Sequence, residues 1–323
     1  KNEPRGVKTV RAMTVKQSDA LFFFRKAQRS VPAIEKQIDL SGVTLIHAHT
    51  LFTDGSIAER LAKKRGLPYV VTLRYSDLSA IWKYEPHLRP MARRILRGAA
   101  RVVCLGSAAR EKVLGWFSGA ARDALDEKLH VIPNGIDPAW LDGDPRTAPH
   151  APVRGGGAGG KNGRKLSLDA MSAAQGGGFD VGACGDGPLE EKFCAAMRAG
   201  DRYLGRISGT DAMKAFYADC DVLLVPSSAE TFGMVYLEAM SQGVPVLYTK
   251  GQGFDGQFPE GEIGYAVPCG DVQAQTEALK RVVQEYAQRS QRCVEGANGY
   301  AWPRIAGMWM RLYQEICIEK RGV

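Results

Sequence analysis

Two glutamates, Glu230 and Glu238, stand with seven residues between them in the stretch Pro226-Ser227-Ser228-Ala229-Glu230-Thr231-Phe232-Gly233-Met234-Val235-Tyr236-Leu237-Glu238-Ala239-Met240. Ionised carboxylates only accept hydrogen bonds, so such a pair suits ligand hydroxyls or acid/base work. Their surroundings favour a bound anion, of the same sign. The apolar run Val222-Leu223-Leu224-Val225 reads as a buried strand ending at Pro226, and residues 233–242 read as a helix. The first amides of that helix, those of Phe232, Gly233 and Met234, then fall at the carboxyl end of a strand, where free N–H groups and the helix dipole favour an anion. An anion site should repel carboxylates. A ligand with a phosphate at its centre and hydroxyl-rich groups on both sides resolves the conflict, which is the shape of a nucleotide-sugar. Acidic residues also gather at helix starts for the dipole alone, so the pair by itself leaves both readings open.

Further polar residues fall at strand ends. Residues 43–47 read as a strand running into Ala48-His49-Thr50, and residues 69–73 as the next, ending in Arg74-Tyr75-Ser76-Asp77. Residues 102–105 and 130–132 complete four apolar runs, with helical stretches between them. Strand and helix alternate, the pattern of βαβ units and a parallel sheet, so His49, Arg74, Ser76 and Asp77 are expected at its carboxyl edge. His47, inside the first strand, reads as structural. A basic segment, residues 89–97, carries Arg89, Arg93 and Arg97 on one helical face, with Leu88, Met91, Ile95 and Leu96 off it. This is a solvated face over a core stripe or a membrane-surface patch. No aromatic stacking set, helix-turn-helix or zinc module accompanies it, which argues against nucleic acid.

The second half repeats the alternation. Residues 140–165, rich in Gly, Pro and Arg, read as a linker entering a new domain. Within it, Arg154-Gly155-Gly156-Gly157-Ala158-Gly159-Gly160-Lys161 lacks the apolar residues a first strand should have. Residues 179–184 form a strand, and Gly185-Asp186-Gly187-Pro188 a tight turn that allows close backbone approach to a ligand. A short strand at 203–207 and a helix at 210–218 lead into the glutamate turn. Strands at 244–247 and 264–267 and helices at 272–286 and 302–319 follow.

The totals agree. A chain of 323 residues with 45% hydrophobic residues and 37 glycines fits an α/β protein of two domains. The seven cysteines are scattered, with no C-x-x-C pair and no metal-ligand spacing, which points to a reducing compartment. Nothing reads as a signal peptide or membrane span, so a cytoplasmic location is expected. The net charge of +8 suits nucleic acid, an anionic membrane surface or phosphorylated substrates without choosing between them. The chain opens at Lys1 without an early strand, which suggests that it begins inside a domain.

Taken together the motifs resemble a known family. Pro133-Asn134-Gly135-Ile136-Asp137, Gly185-Asp186-Gly187-Pro188-Leu189, Leu204-Gly205, Tyr217 to Asp221, and Glu230-Thr231-Phe232-Gly233 through Glu238-Ala239-Met240 to Gly243-Val244-Pro245-Val246 look like the retaining nucleotide-sugar glycosyltransferases of the GT-B fold, the group 1 or GT4 type. His47-Ala48-His49 and Arg74-Tyr75-Ser76-Asp77 are similar to its amino-domain motifs. The resemblance runs from about Val43 over nearly the whole chain.

It implies an α/β architecture of two Rossmann-like domains with parallel sheets facing across a cleft. Residues 1–140 would form the acceptor-side domain, lacking the family's amino-terminal Gly-rich loop. Residues 141–301 would form the nucleotide-sugar domain, and 302–323 a helix crossing back. The residue matching Glu230 contacts donor sugar hydroxyls and the one matching Glu238 holds the ribose. Thr231 and the amides of Phe232, Gly233 and Met234 meet sugar and diphosphate, Gly185 and Gly187 line the donor site, and the backbone at Arg206 and Ile207 meets the base. His49 stands near the reacting sugar, Arg154 and Lys161 neutralise the diphosphate, and Arg74, Ser76 and Asp77 face the acceptor. The resemblance implies a UDP- or GDP-linked donor, a glycan or lipid-linked acceptor in cell-envelope or exopolysaccharide synthesis, retention of configuration, and neither metal nor cofactor. Two other readings stay open: a hydrolase or epimerase on the same fold using Glu230 and Glu238 as an acid/base pair, and a non-catalytic nucleotide-sugar or polyanion-binding protein.

Overall fold

The computed structural model describes Val10 and residues 23–74, 76–150, 154–158, 168–186, 188–227, 230 and 232–321. The chain divides into two compact units. The first comprises the described residues up to Cys104, Arg110–Val131, and the chain from Met310. The second takes Leu105–Ala109 and Ile132–Trp309. The long last helix, Trp302–Arg321, therefore contributes its first residues to one unit and the rest to the other.

The first unit is built on a four-stranded parallel sheet, β1 (Ile46–Ala48), β2 (Tyr69–Thr72), β3 (Arg101–Cys104) and β4 (Leu129–Val131), in that spatial order. All four residues of β2 and the Val102-Val103-Cys104 run of β3 are buried, as expected of strands covered on both faces. The helix Asp54–Arg65 ends at Gly66, left-handed at φ +66°, and that reversal returns the chain to β2.

The helix Arg89–Gly98 buries Met91, Ala92, Ile95 and Leu96 and keeps its arginines off the core. Contrary to the sequence expectation, aromatic rings do accompany that charge. Trp82 and Trp116 stack at 3.7 Å with 7° between planes, and the Arg89 and Arg93 guanidinium carbons lie 5.2 Å and 5.5 Å from the Trp82 ring centre. Arg93 Nε also donates to the Trp116 carbonyl at 3.0 Å. The rings come from segments flanking the helix, so no local pattern marks them.

The second unit has a six-stranded parallel sheet in the order β10-β9-β8-β5-β6-β7. Its strands are β5 (Arg154–Ala158), β6 (Asp180–Cys184), β7 (Arg202–Tyr203), β8 (Val222–Leu224), β9 (Val246–Thr249) and β10 (Gly264–Val267). Alternate residues of one strand feed different cores. Val222 and Leu224 join Val181, Phe193, Leu247 and Leu279 on one side of the sheet, whereas Leu223 and Val225 join Phe216, Tyr217, Tyr236 and Tyr248 on the other.

The glycine stretch is the largest surprise of this fold. Arg-Gly-Gly-Gly-Ala forms β5, between β6 and β8 in the interior of the sheet. A Cβ on Gly156 would lie 2.5 Å from Cys220 Sγ and 3.0 Å from Cys220 Cβ, so a neighbouring side chain fills the space that this strand leaves. Periodicity cannot detect a strand without side chains.

The preceding stretch is no free linker either. The buried Asp221 carboxylate accepts the backbone N–H of His150 at 3.0 Å and of Arg154 at 2.7 Å, and stands 2.8 Å from His150 Nδ1. Arg146 donates to the carbonyls of Tyr217 and Cys220 at 2.7 Å and 2.6 Å.

Candidate functional site

The strand-turn-helix unit around the glutamates forms as its pattern predicts. After β8 the chain passes Pro226 and the buried Ser227, and a helix runs over Met234–Ser241. Its N-cap is Gly233, in the left-handed region at φ +88°, ψ +58°, with no side-chain cap bond. A serine or aspartate there would place its own oxygen against the first helical amides. Gly233 leaves them without such a cap, which suits an external anion.

Neighbours fix the turn. Tyr236, buried, donates its hydroxyl to the Val225 carbonyl at 2.6 Å, and its amide donates to the Gly233 carbonyl at 2.9 Å. The loop after β9 holds the other side. Thr249 Oγ1 donates to the Ser227 carbonyl at 2.8 Å, the Glu230 amide to Gln252 Oε1 at 3.4 Å, and the Gly253 amide to the Glu230 carbonyl at 3.4 Å. Phe232 packs on Phe254 and Tyr300, with ring centres 6.2 Å and 6.1 Å away. Glu230 is 8% exposed and Glu238 half-buried, on the second turn of the helix, with Oε2 accepting the Tyr217 hydroxyl at 3.1 Å. Thr231 lies outside the described residues. Sequence reasoning quoted Tyr217 within a motif but gave it no role, and missed Gln252 and Phe254. The rule that ligands meet the carboxyl ends of parallel strands would have singled out the loop after β9 that carries the last two.

The glycine turn stands at the carboxyl end of β6, on the same edge of the sheet. Gly185, at φ +131°, donates its amide to the Gly205 carbonyl at 2.7 Å and accepts the Tyr203 hydroxyl at 2.7 Å. These bonds bring the chain around Arg206 and Ile207 alongside it. Arg206 and Asp186 form an exposed ion pair at 3.7 Å, and Ile207 packs against the core beneath. Strand β7 covers Arg202–Tyr203, so the 203–207 strand of the sequence reading is mostly irregular chain. Gly187 lies outside the described residues.

Arg154 requires a correction. It begins β5, with Asp180 and Val222 as its neighbours' starting residues, at the amino edge of the sheet. Its guanidinium is paired with Asp219, which also takes Arg202. The structure does not bring it to the turn of Glu230. Lys161, the other residue expected to neutralise phosphate, lies outside the described residues.

In the first unit the strand-end residues gather as expected but divide their work. Asp77 is buried, and its Oδ2 accepts the Arg74 amide at 2.9 Å and the Leu51 amide at 3.1 Å, bracing the loops after β1 and β2 together. Burial raises its pKa to about 6. Ser76 is exposed at the start of a helical turn, Ser76–Ile81. Arg74 Nε donates to the His49 carbonyl at 3.3 Å. The His49 ring packs on His47 with centres 4.1 Å apart, and partial burial, then the Arg74 charge, lower its pKa.

His47 lies between two hydroxyls, with Nδ1 2.7 Å from Tyr313 and Nε2 2.7 Å from Thr72. Burial above all, then His49 and Arg74, push its pKa down to about 3. The neutral ring donates through one nitrogen and accepts through the other.

A stability prediction follows from His47. The unfolded chain takes up its proton near pH 6.5, and the folded chain only near pH 3. The stability that neutral His47 contributes is therefore present above about pH 6.5 and lost as pH falls towards 3. Asp77 acts with the opposite sign between pH 4 and 6, so the test is a difference. Urea unfolding at pH 7.5, 6, 5 and 4 should show a shallower acid loss in His47→Gln than in the wild type, and parallel curves would refute it.

Comparison with known proteins fits this geometry. Residues 2–140 match the model of Glycosyltransferase Family 4, and residues 162–299 that of Glycosyl transferases group 1. An uncharacterized glycosyltransferase of Methanocaldococcus jannaschii is 25% identical over 86% of this chain and 77% of its own length. The phosphatidyl-myo-inositol mannosyltransferase of Mycobacterium leprae is 29% identical over 64% of this chain and 60% of its own length. The chain thus spans three-fifths of that relative. Among solved structures, sucrose-phosphate synthase from Thermosynechococcus elongatus superposes with a TM-score of 0.70 at 20% identity, covering 92% of this chain and 79% of that one. The Anabaena protein HepE in complex with UDP superposes at 0.67 with 17% identity, covering 90% and 82%. Two parallel α/β sheets and these relatives define the class as glycosyltransferases of the GT-B fold. Within it, the chain belongs to the group 1, family 4 type. Among the described residues no helix is long and apolar enough to cross a membrane.

Proposed function

We propose that the protein is a retaining glycosyltransferase that moves a sugar from a UDP- or GDP-linked donor to a hydroxyl on a glycan or lipid-linked glycan. The observation that carries this reading is the glycine-started helix without a side-chain cap at the carboxyl end of β8, with Glu230 before it and Glu238 on its second turn. A diphosphate meets the amides of Phe232, Gly233 and Met234, Glu238 accepts from the ribose, and Glu230 accepts from hydroxyls of the transferred sugar. HepE was solved with UDP, which supports a uridine nucleotide here.

The bond from the anomeric carbon to the phosphate oxygen breaks, leaving an oxocarbenium-like sugar and a developing negative charge. The preorganised amides at the helix start stabilise that charge. The acceptor hydroxyl attacks from the leaving-group face, its oxygen bonds to the anomeric carbon, and its proton passes to the departing phosphate. Configuration is retained, and the reaction asks neither a metal nor a cofactor of the protein. Neutral His49, with its lowered pKa, serves beside the reacting sugar as a hydrogen-bonding group. Arg74 and Ser76 serve the acceptor side, with Asp77 as their brace.

The arginines around Trp82 and the 71% exposed Tyr84 support peripheral attachment to an anionic membrane, with a role in cell-envelope or exopolysaccharide synthesis at its cytoplasmic face. The test is incubation with labelled nucleotide-sugars and a membrane extract. Label in lipid or glycan is the expected result. Free labelled sugar alone would mean a hydrolase, and tight binding without turnover a binding protein; either overturns the proposal.

A further inference from the structure

Tyr217 is the buried group that the mechanism above leaves unused. Its side chain is fully buried, its ring packs against Phe216 and Trp140 at centre distances of 5.6 Å and 6.0 Å, and its carbonyl accepts Arg146. The hydroxyl is therefore carried on a ring with nowhere to move, and it points at a carboxylate, with Glu238 Oε2 as its partner at 3.1 Å.

We infer that Tyr217 is a positioning residue that holds the Glu238 carboxylate in its ribose-binding orientation and so makes the site select ribonucleotides over deoxyribonucleotides. The inference rests on the proposed role of Glu238. A glutamate carries three rotatable side-chain bonds, and ordering them when ligand arrives opposes binding. A hydrogen bond from a fixed donor below the helix orders the carboxylate beforehand, which is preorganisation. The donor also keeps its proton, because burial, and next the charge of Glu238, raise the Tyr217 pKa well above 10. A phenylalanine of the same shape leaves the packing in place and removes this bond together with the longer contact of the hydroxyl with the Val235 carbonyl at 3.5 Å.

The probe is UDP, with GDP used in its place if GDP is what the wild type binds, compared with the 2′,3′-dideoxy form of the same nucleotide by calorimetry. Tyr217→Phe should weaken binding of the ribonucleotide by about tenfold, a loss of about 1.4 kcal/mol. It should leave the dideoxy nucleotide within about twofold of wild type, since that ligand offers Glu238 nothing to hold. In the transfer assay the donor KM should rise by the same factor while kcat falls less than threefold. In a Glu238→Ala background, Tyr217→Phe should add no further loss. Equal weakening of both nucleotides, or an unchanged affinity for the ribonucleotide, overturns the role of Tyr217 alone. Failure of the wild type to bind UDP or GDP overturns the donor reading, and this inference falls with it.

Discussion

Glu230→Ala is expected to reduce sugar transfer by on the order of 10² to 10³-fold in kcat while the protein stays folded. The carboxylate is the one side chain at the turn aimed, in the proposed mechanism, at the transferred sugar, where positive charge develops as the bond to phosphate breaks. Its removal takes away transition-state stabilisation and sugar orientation together. The turn keeps its main-chain bonds, from the Glu230 amide to Gln252 and from the Gly253 amide to the Glu230 carbonyl. Nucleotide affinity should stay near wild type, since diphosphate and ribose are held by other groups. Transfer assays beside thermal melting check this. Near-normal turnover in a folded variant would remove Glu230 from the site.

Gly233→Ala should do damage of another kind, lowering stability by about 2–4 kcal/mol and donor affinity by about a hundredfold or more. Gly233 occupies the left-handed region at φ +88°, which alone costs an L-residue about 1–2 kcal/mol. The added methyl would also fall well inside contact distance of Tyr236 Cδ2 and Cε2 and 3.5 Å from Glu230 Cγ. Tyr236 cannot give way, because its ring is buried and its hydroxyl is tied to Val225. The turn must move instead, taking the amides of the helix start and Glu230 with it. Urea unfolding and nucleotide titration separate the two effects. A variant within about 1 kcal/mol of wild type that binds donor normally would show that the turn tolerates displacement.

These two residues were legible in the sequence because each stands in a pattern with a physical cause. Apolar runs such as Val222 to Val225 mark strands, a glycine before an apolar helix marks its start, and carboxylates on both sides of an anion-favouring helix start fit a ligand with phosphate at its centre and hydroxyls on either side. Strand ends drifted by one to three residues, as at β1 and β9. What could not be read was whatever depends on contacts between distant segments. Trp82 and Trp116 meet only in the folded chain. Asp77 has the composition of a site residue, yet its carboxylate is a brace for backbone amides. Arg154 is expected at the diphosphate from the family resemblance, whereas register puts it at the other edge of the sheet with Asp219.

The glycine strand β5 bears on how this sheet can vary and assemble. Gly156 and Cys220 share one side chain's worth of space, so a larger residue at 156 demands a smaller one at 220, and the two positions should drift through sequence history as a pair. A strand of bare backbone also has little apolar surface with which to drive its own docking. It is held by main-chain bonds to β6 and β8 and by what its neighbours press against it. The middle of this sheet is therefore a slot that the flanking strands prepare, and β5 is expected to enter it late in folding.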